Sequence, residues 1–221
     1  MRQSKTISAR VHRTACVALA AMSLALSPAI TAASSTVPSG DDWTARKNDQ
    51  SLQLYTREVA GSDFIAVKVT ALVNASVEKV AYAFGNGDGC SGWQAMCKTS
   101  TVVEVVSDSE RYIHLVLDLP WPLSDRDMVI HSTSTIDPET DAATMHMASA
   151  ADKIPLQDYV RARSNGRYTV KTMNAEQVEL TYIIHTELGG NVSPATVNSR
   201  LISTTFEDIK RLVELAESDS E

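Results

Sequence analysis

The strongest constraint on how this chain can fold lies in its second half. Seven strand-like runs follow one another there and end in one long amphipathic helix. Residues 101–106 are valine-rich. In 112–119, Ile113, Leu115, Leu117 and Leu119 share one face of an alternating strand. Strand patterns continue over 126–136, 143–150, 159–163, 167–172 and 178–186. Asp137-Pro138 reads as a turn, and Asn165-Gly166 is the strongest hairpin signal in the chain. After Gly189-Gly190, Pro194 opens a helix that reaches about Glu217. Val197, Leu201, Thr205, Ile209, Leu212, Val213 and Ala216 form its apolar stripe. Such a stripe must be buried, and a curved sheet is the only partner large enough. Hairpin-linked strands with segregated helices define the α+β class.

Upstream, Trp43, Ala45 and Lys47 suggest a short helix leading to Tyr55. Residues 64–73 alternate as a half-buried strand with Ile65, Val67, Val69, Ala71 and Val73 inward. Ser76 caps an expected helix through Phe84, and Gly85, Gly87, Gly89 and Gly92 mark a loop around Cys90.

Residues 1–33 read as a secretory signal peptide. Arg2, Lys5, Arg10 and Arg13 precede a dozen apolar residues, and small residues lead to a cleavage site near Ala32 or Ala33. The apolar run is shorter than the roughly 20 residues a spanning helix needs. Residues 34–40 read as a flexible lead-in, 41–217 as one domain and 218–221 as a disordered tail. The whole chain carries a net charge of −7; without its first 33 residues 16 basic face 27 acidic residues, a net −11. That balance argues against nucleic acid and against charge-driven docking on anionic lipid. Export favours a disulfide between Cys90 and Cys97.

No nucleophile elbow, zinc motif, phosphate loop or dinucleotide fingerprint is present, and no cofactor or metal is implied. His114, His131, His146 and His185 fall one to a strand, opposite the best apolar faces, and are expected toward solvent. Ser124-Asp125-Arg126-Asp127 is either an exposed turn or the entry of an inward-pointing Arg126, which would then need a carboxylate or a ligand. Met128, Ile130, Ser132 and Ser134 share the Arg126 face, and Met145 and Met147 share a face on the next strand. This mixture suits a ligand cavity or a plain core.

Trp43, Leu54-Tyr55-Thr56-Arg57, Trp93, Pro120-Trp121-Pro122-Leu123-Ser124-Asp125-Arg126-Asp127, Tyr159-Val160-Arg161, Leu180-Thr181-Tyr182, Gly189-Gly190, Pro194 and Asn198 occur in an order that resembles the START family of lipid-transfer domains. The Pro-Trp-Pro-Leu-Ser-Asp-Arg-Asp run is the most specific element, and the resemblance covers roughly 41–217. It implies a helix-grip fold, a curved antiparallel sheet wrapped around the C-terminal helix with a hydrophobic tunnel between. Pro120, Trp121 and Pro122 match a lid loop, and Arg126 and Arg161 match family arginines that either pair structurally or meet ligand. The acid and second arginine of steroidogenic members fall near Leu115 and at Ser132 here, so sterol specificity does not carry over.

The expectation is therefore a non-enzymatic, monomeric periplasmic protein that binds and carries a lipid or other hydrophobic molecule and touches membranes transiently. The expected ligand contacts are Ile113, Leu115, Leu117, Arg126, Met128, Ile130, Ser132, Met145, Met147, Arg161, Tyr182, Ile184, Val197, Leu201 and Thr205. One alternative is a helix-grip enzyme using Arg126, Asp118 or Tyr182. Another is an interaction domain whose own side chains fill the cavity, which a volume below about 300 Å³ would favour.

Overall fold

The computed structural model describes residues 42–85 and 89–218. The expected signal peptide and lead-in lie outside the described residues, as do 219–221 of the expected tail. In chain order the elements are β1 Thr44–Asn48, β2 Leu52–Arg57, β3 Ala66–Val73, α1 Val77–Gly85, a short 3-10 turn Gly89–Gly92, β4 Cys97–Ser107, β5 Glu110–Leu117, β6 Arg126–Asp137, β7 Ala142–Ser149, β8 Val160–Arg161, β9 Arg163–Thr172, β10 Val178–Glu187 and α2 Pro194–Glu217. The strands make one sheet of ten in the order β1-β2-β3-β10-β9-β7-β6-β5-β4; β8 joins β6 in parallel, and all other neighbours are antiparallel.

Alternation decides which face is buried. Val67, Val69, Ala71 and Val73 of β3 and Leu180 and Tyr182 of β10 point to one side, and α2 covers them with Phe206, Ile209, Leu212 and Ala216. Ser193 caps α2 by accepting the Thr196 N–H, and Pro194 occupies the first turn, where its missing N–H costs nothing. At the outer edge, β4 exposes Val102, Val103, Val105 and Val106, and bulges interrupt its ladder with β5. Bulged edges are poor templates for further pairing.

Three expectations are corrected. The segment around Trp43, Ala45 and Lys47 is strand, not helix: β1 pairs with β2, whose Leu52, Leu54 and Thr56 are buried in alternation. The Asn165-Gly166 pair is no hairpin, because β9 runs straight through it. Neither residue takes the positive φ that a two-residue hairpin turn requires. A Cβ on Gly166 would lie 2.8 Å from the Ile183 carbonyl oxygen, so the glycine serves close strand packing; the Asn165 side chain accepts the Ser149 N–H at 3.0 Å. Finally, His114 and His185 are not solvent-side. His114 donates to the fully buried Asp127 at 3.0 Å, and His185 is buried against Ser62, which keeps its imidazole below the usual histidine value. His146 is exposed as expected, and His131 is half-buried and stacked on Tyr112.

Candidate ligand-binding cavity

The sheet is wider than the helix that lies on it. The C-terminal half of α2 seals the β2-β3-β10 side. Over β5, β6 and β7 the concave face is left with a cavity of about 830 Å³. Its floor is Ile113, Leu115 and Leu117 of β5, Met128, Ile130, Ser132 and Ser134 of β6, Met145 and Met147 of β7, and Tyr182 and Ile184 of β10. Val197, Leu201 and Thr205 from the N-terminal half of α2 form the opposite wall. The structure thus brings together thirteen of the fifteen expected contacts; Arg126 and Arg161 are not among the lining residues.

Those two arginines hold the frame. Arg126, 3% exposed, donates to the backbone carbonyls of Ser124, Leu188 (3.2 Å) and Gly189 (3.4 Å). Burial pulls its guanidinium below the usual value, and these carbonyls take the place of the carboxylate that an inward arginine suggests. Those of Leu188 and Gly189 belong to the crossing from β10 to α2, where Gly189 and Gly190 take φ of 64° and 66°. A Cβ on Gly189 would also lie 2.9 Å from the Arg161 carbonyl oxygen, so only glycine fits. Arg161 meets both oxygens of Asp127 at 2.9 Å and caps the carbonyls of Ala151, Ile154 and Pro155. Burial alone would raise the Asp127 carboxyl, but Arg161 and His114 outweigh it and hold it below the usual carboxylate range.

The cavity's end wall is a stapled loop. Cys90 and Cys97 form a disulfide with Cα atoms 5.8 Å apart, and both line the cavity with Trp93, Gln94, Ala95 and Met96. Asp208 of α2 latches this loop by accepting the Ala95 N–H at 3.0 Å while pairing with Arg211 at 2.7 Å. Burial raises the Asp208 carboxyl, partly offset by those two bonds. Trp93 and Phe84, with ring centroids 5.3 Å apart, pack beside Tyr182. In the expected lid, Pro120 lines the cavity with Leu119 and Leu123, whereas Trp121 is 92% exposed and joined to Pro122 by a cis peptide.

Arg111, Arg200 and Asp208 also line the cavity and are not among the contacts expected from the sequence. Arg111 has a legible signal, because it continues the alternation of Ile113, Leu115 and Leu117. Ser132 lies opposite Arg111, and Leu115 lies opposite Met128.

A family model of the START domain matches residues 38–220. The chain belongs to the START-domain family. A STAR-related lipid transfer protein from Xanthomonas axonopodis is 26% identical, with 80% of this chain and all of that one covered and a TM-score of 0.73. Human StAR-related lipid transfer protein 5 shares the fold at 14% identity, covering 81% of this chain and 88% of its own, with a TM-score of 0.73. An uncharacterized protein of Pseudomonas aeruginosa is 23% identical over 180 residues, 80% of this chain and 88% of its own length. The sheet gripping α2 is the START helix-grip architecture expected from the sequence.

Proposed function

We propose that this START-domain protein binds one lipid or lipid-like apolar molecule in the cavity between α2 and β5–β7 and carries it through the periplasm. The observation that carries the reading is the cavity itself. Its volume of about 830 Å³ falls inside the roughly 300–1,000 Å³ typical of small-molecule sites and well above what a self-filled core would leave. Leucine, isoleucine and methionine line most of its floor. Hydrocarbon moved from water onto such a surface gains about 25 cal/mol per Å². The name of the Xanthomonas relative, a lipid transfer protein, supports the same reading.

Export rests on the basic, apolar and small-residue order of residues 1–33. Brief membrane contact is supported by the exposed Trp121 beside cavity-lining Pro120 and Leu123, since tryptophan favours membrane–water interfaces. Of the three groups the enzymatic alternative would use, Tyr182 and Asp118 line the cavity and Arg126 does not; burial and the neighbouring Asp208 raise the Tyr182 hydroxyl above its ordinary value.

Native mass spectrometry of the protein expressed in a bacterial periplasm, with organic extraction of what co-purifies, tests the reading. A stoichiometric apolar adduct that is lost in Leu115→Trp is expected. A clean apo mass that incubation with membrane lipid leaves unchanged would refute it.

A further inference from the structure

Most of the cavity floor is apolar, yet Arg111 brings a full positive charge to it. It is the second residue of β5 and faces the cavity in phase with Ile113 and Leu115. Directly across the β5–β6 ladder stands Ser132, 2% exposed, and Ser134 follows two residues on along the same face. Among the described residues, no hydrogen bond or ion pair reaches the Arg111 guanidinium, and neither serine hydroxyl bonds a protein group. The lining acids are engaged or distant. Asp208 is held by Ala95 and Arg211. Asp118 follows the far end of β5, and the six steps from Arg111 to Leu117 alone span roughly 20 Å.

A guanidinium cannot lose its proton near neutral pH, and an uncharged apolar occupant would strip its water and return nothing. The arginine fork and two hydroxyls on neighbouring strands instead form a cluster of donors with no protein acceptor. A carboxylate or phosphate fits that cluster, because its oxygens accept two parallel N–H bonds from one guanidinium. The protein's overall negative charge makes this a local selectivity rather than a general attraction for anions.

Resting on the apolar-ligand reading above, we propose that the ligand is an anionic amphiphile whose acidic group is held by Arg111 and Ser132, with its hydrocarbon directed along β5 toward Leu115 and Leu117. The acidic group has two sources, a fatty-acid-type carboxylate or a phosphate monoester. The same donor cluster would receive either.

Isothermal titration of the purified protein with decanoate, decyl phosphate and decanol, all below their micellar concentrations, tests this. At least one acid is expected to bind about ten- to a hundredfold more tightly than decanol, the span of a charge-assisted hydrogen bond. The tighter of the two acids identifies the source. Arg111→Met should abolish the preference, so that the acids bind no more tightly than decanol. Arg111→Lys should retain part of the preference, and Arg167→Met, an exposed arginine of β9, should retain all of it. If Arg111→Met does not fold, Ser132→Ala provides the second readout, with a severalfold loss of preference. Equal binding of decanol and the acids, or a preference that survives Arg111→Met, overturns the anion assignment and leaves the apolar-cavity reading intact. Binding of none of the three overturns both.

Discussion

Arg161→Met removes the main partner of an Asp127 carboxylate that is 0% exposed. Both hydrogen bonds from the guanidinium to Asp127 disappear, and only His114 at 3.0 Å remains. Breaking one side of a buried ion pair costs about 3–5 kcal/mol, a large share of a typical stability of about 5–15 kcal/mol. With a urea slope of about 2 kcal/mol per molar, the unfolding midpoint should fall by about 1.5–2.5 M. Buried Trp93 supplies the fluorescence signal. The pH dependence should reverse sign. In the native protein Asp127 is held below its ordinary value of 3.8, so its stabilising contribution is complete above about pH 4 and is lost as pH falls through the lower folded value. In the variant burial dominates and raises the folded carboxyl, so the deficit should shrink as pH is lowered from 7. Removing the charge as well, in Arg161→Met with Asp127→Asn, should restore part of the loss. Ligand affinity per folded molecule should not change, since Arg161 lies outside the cavity. A loss below about 1 kcal/mol, or strictly additive effects in the double variant, would refute the argument; a selective loss of binding would return Arg161 to the ligand.

Two further outcomes follow from packing and chain connectivity. Gly166→Ala should destabilise by about 1–3 kcal/mol, as overpacking does, because its Cβ meets the Ile183 carbonyl at 2.8 Å and Met147 Cε at 2.9 Å; an unchanged melting temperature would contradict that close approach. Replacing Cys90 and Cys97 together by serine should cost about 2.5 kcal/mol from loop entropy, read by chemical unfolding, and should loosen the cavity's end wall so that ligand dissociates faster.

Elements whose signal runs along a single stretch of chain are legible in the amino-acid sequence. Helix α2 runs from Pro194 to Glu217, as its stripe and proline predict. Strand β5 presents Ile113, Leu115 and Leu117 to the cavity, as their spacing predicts. The departures fall where a neighbour overrides a local pattern. Asn165-Gly166 has the composition of a turn, but β7 and β10 on either side hold it extended. His114 alternates away from the cavity, yet Asp127 and Arg161 bury it on the other face of the sheet.

What the sequence determined by itself is the set of faces: which residues alternate, where the helix begins, and a motif order that marks the START family. What only the tertiary structure decided is partnership. Arg126 and Arg161 became framework groups because carbonyls and Asp127 from distant segments converge on them. Arg111 became a cavity charge because nothing among the described residues converges on it. A side chain's periodicity is set by its own strand, but the compensation of its charge depends on pairings between residues far apart in the chain, which no local pattern encodes.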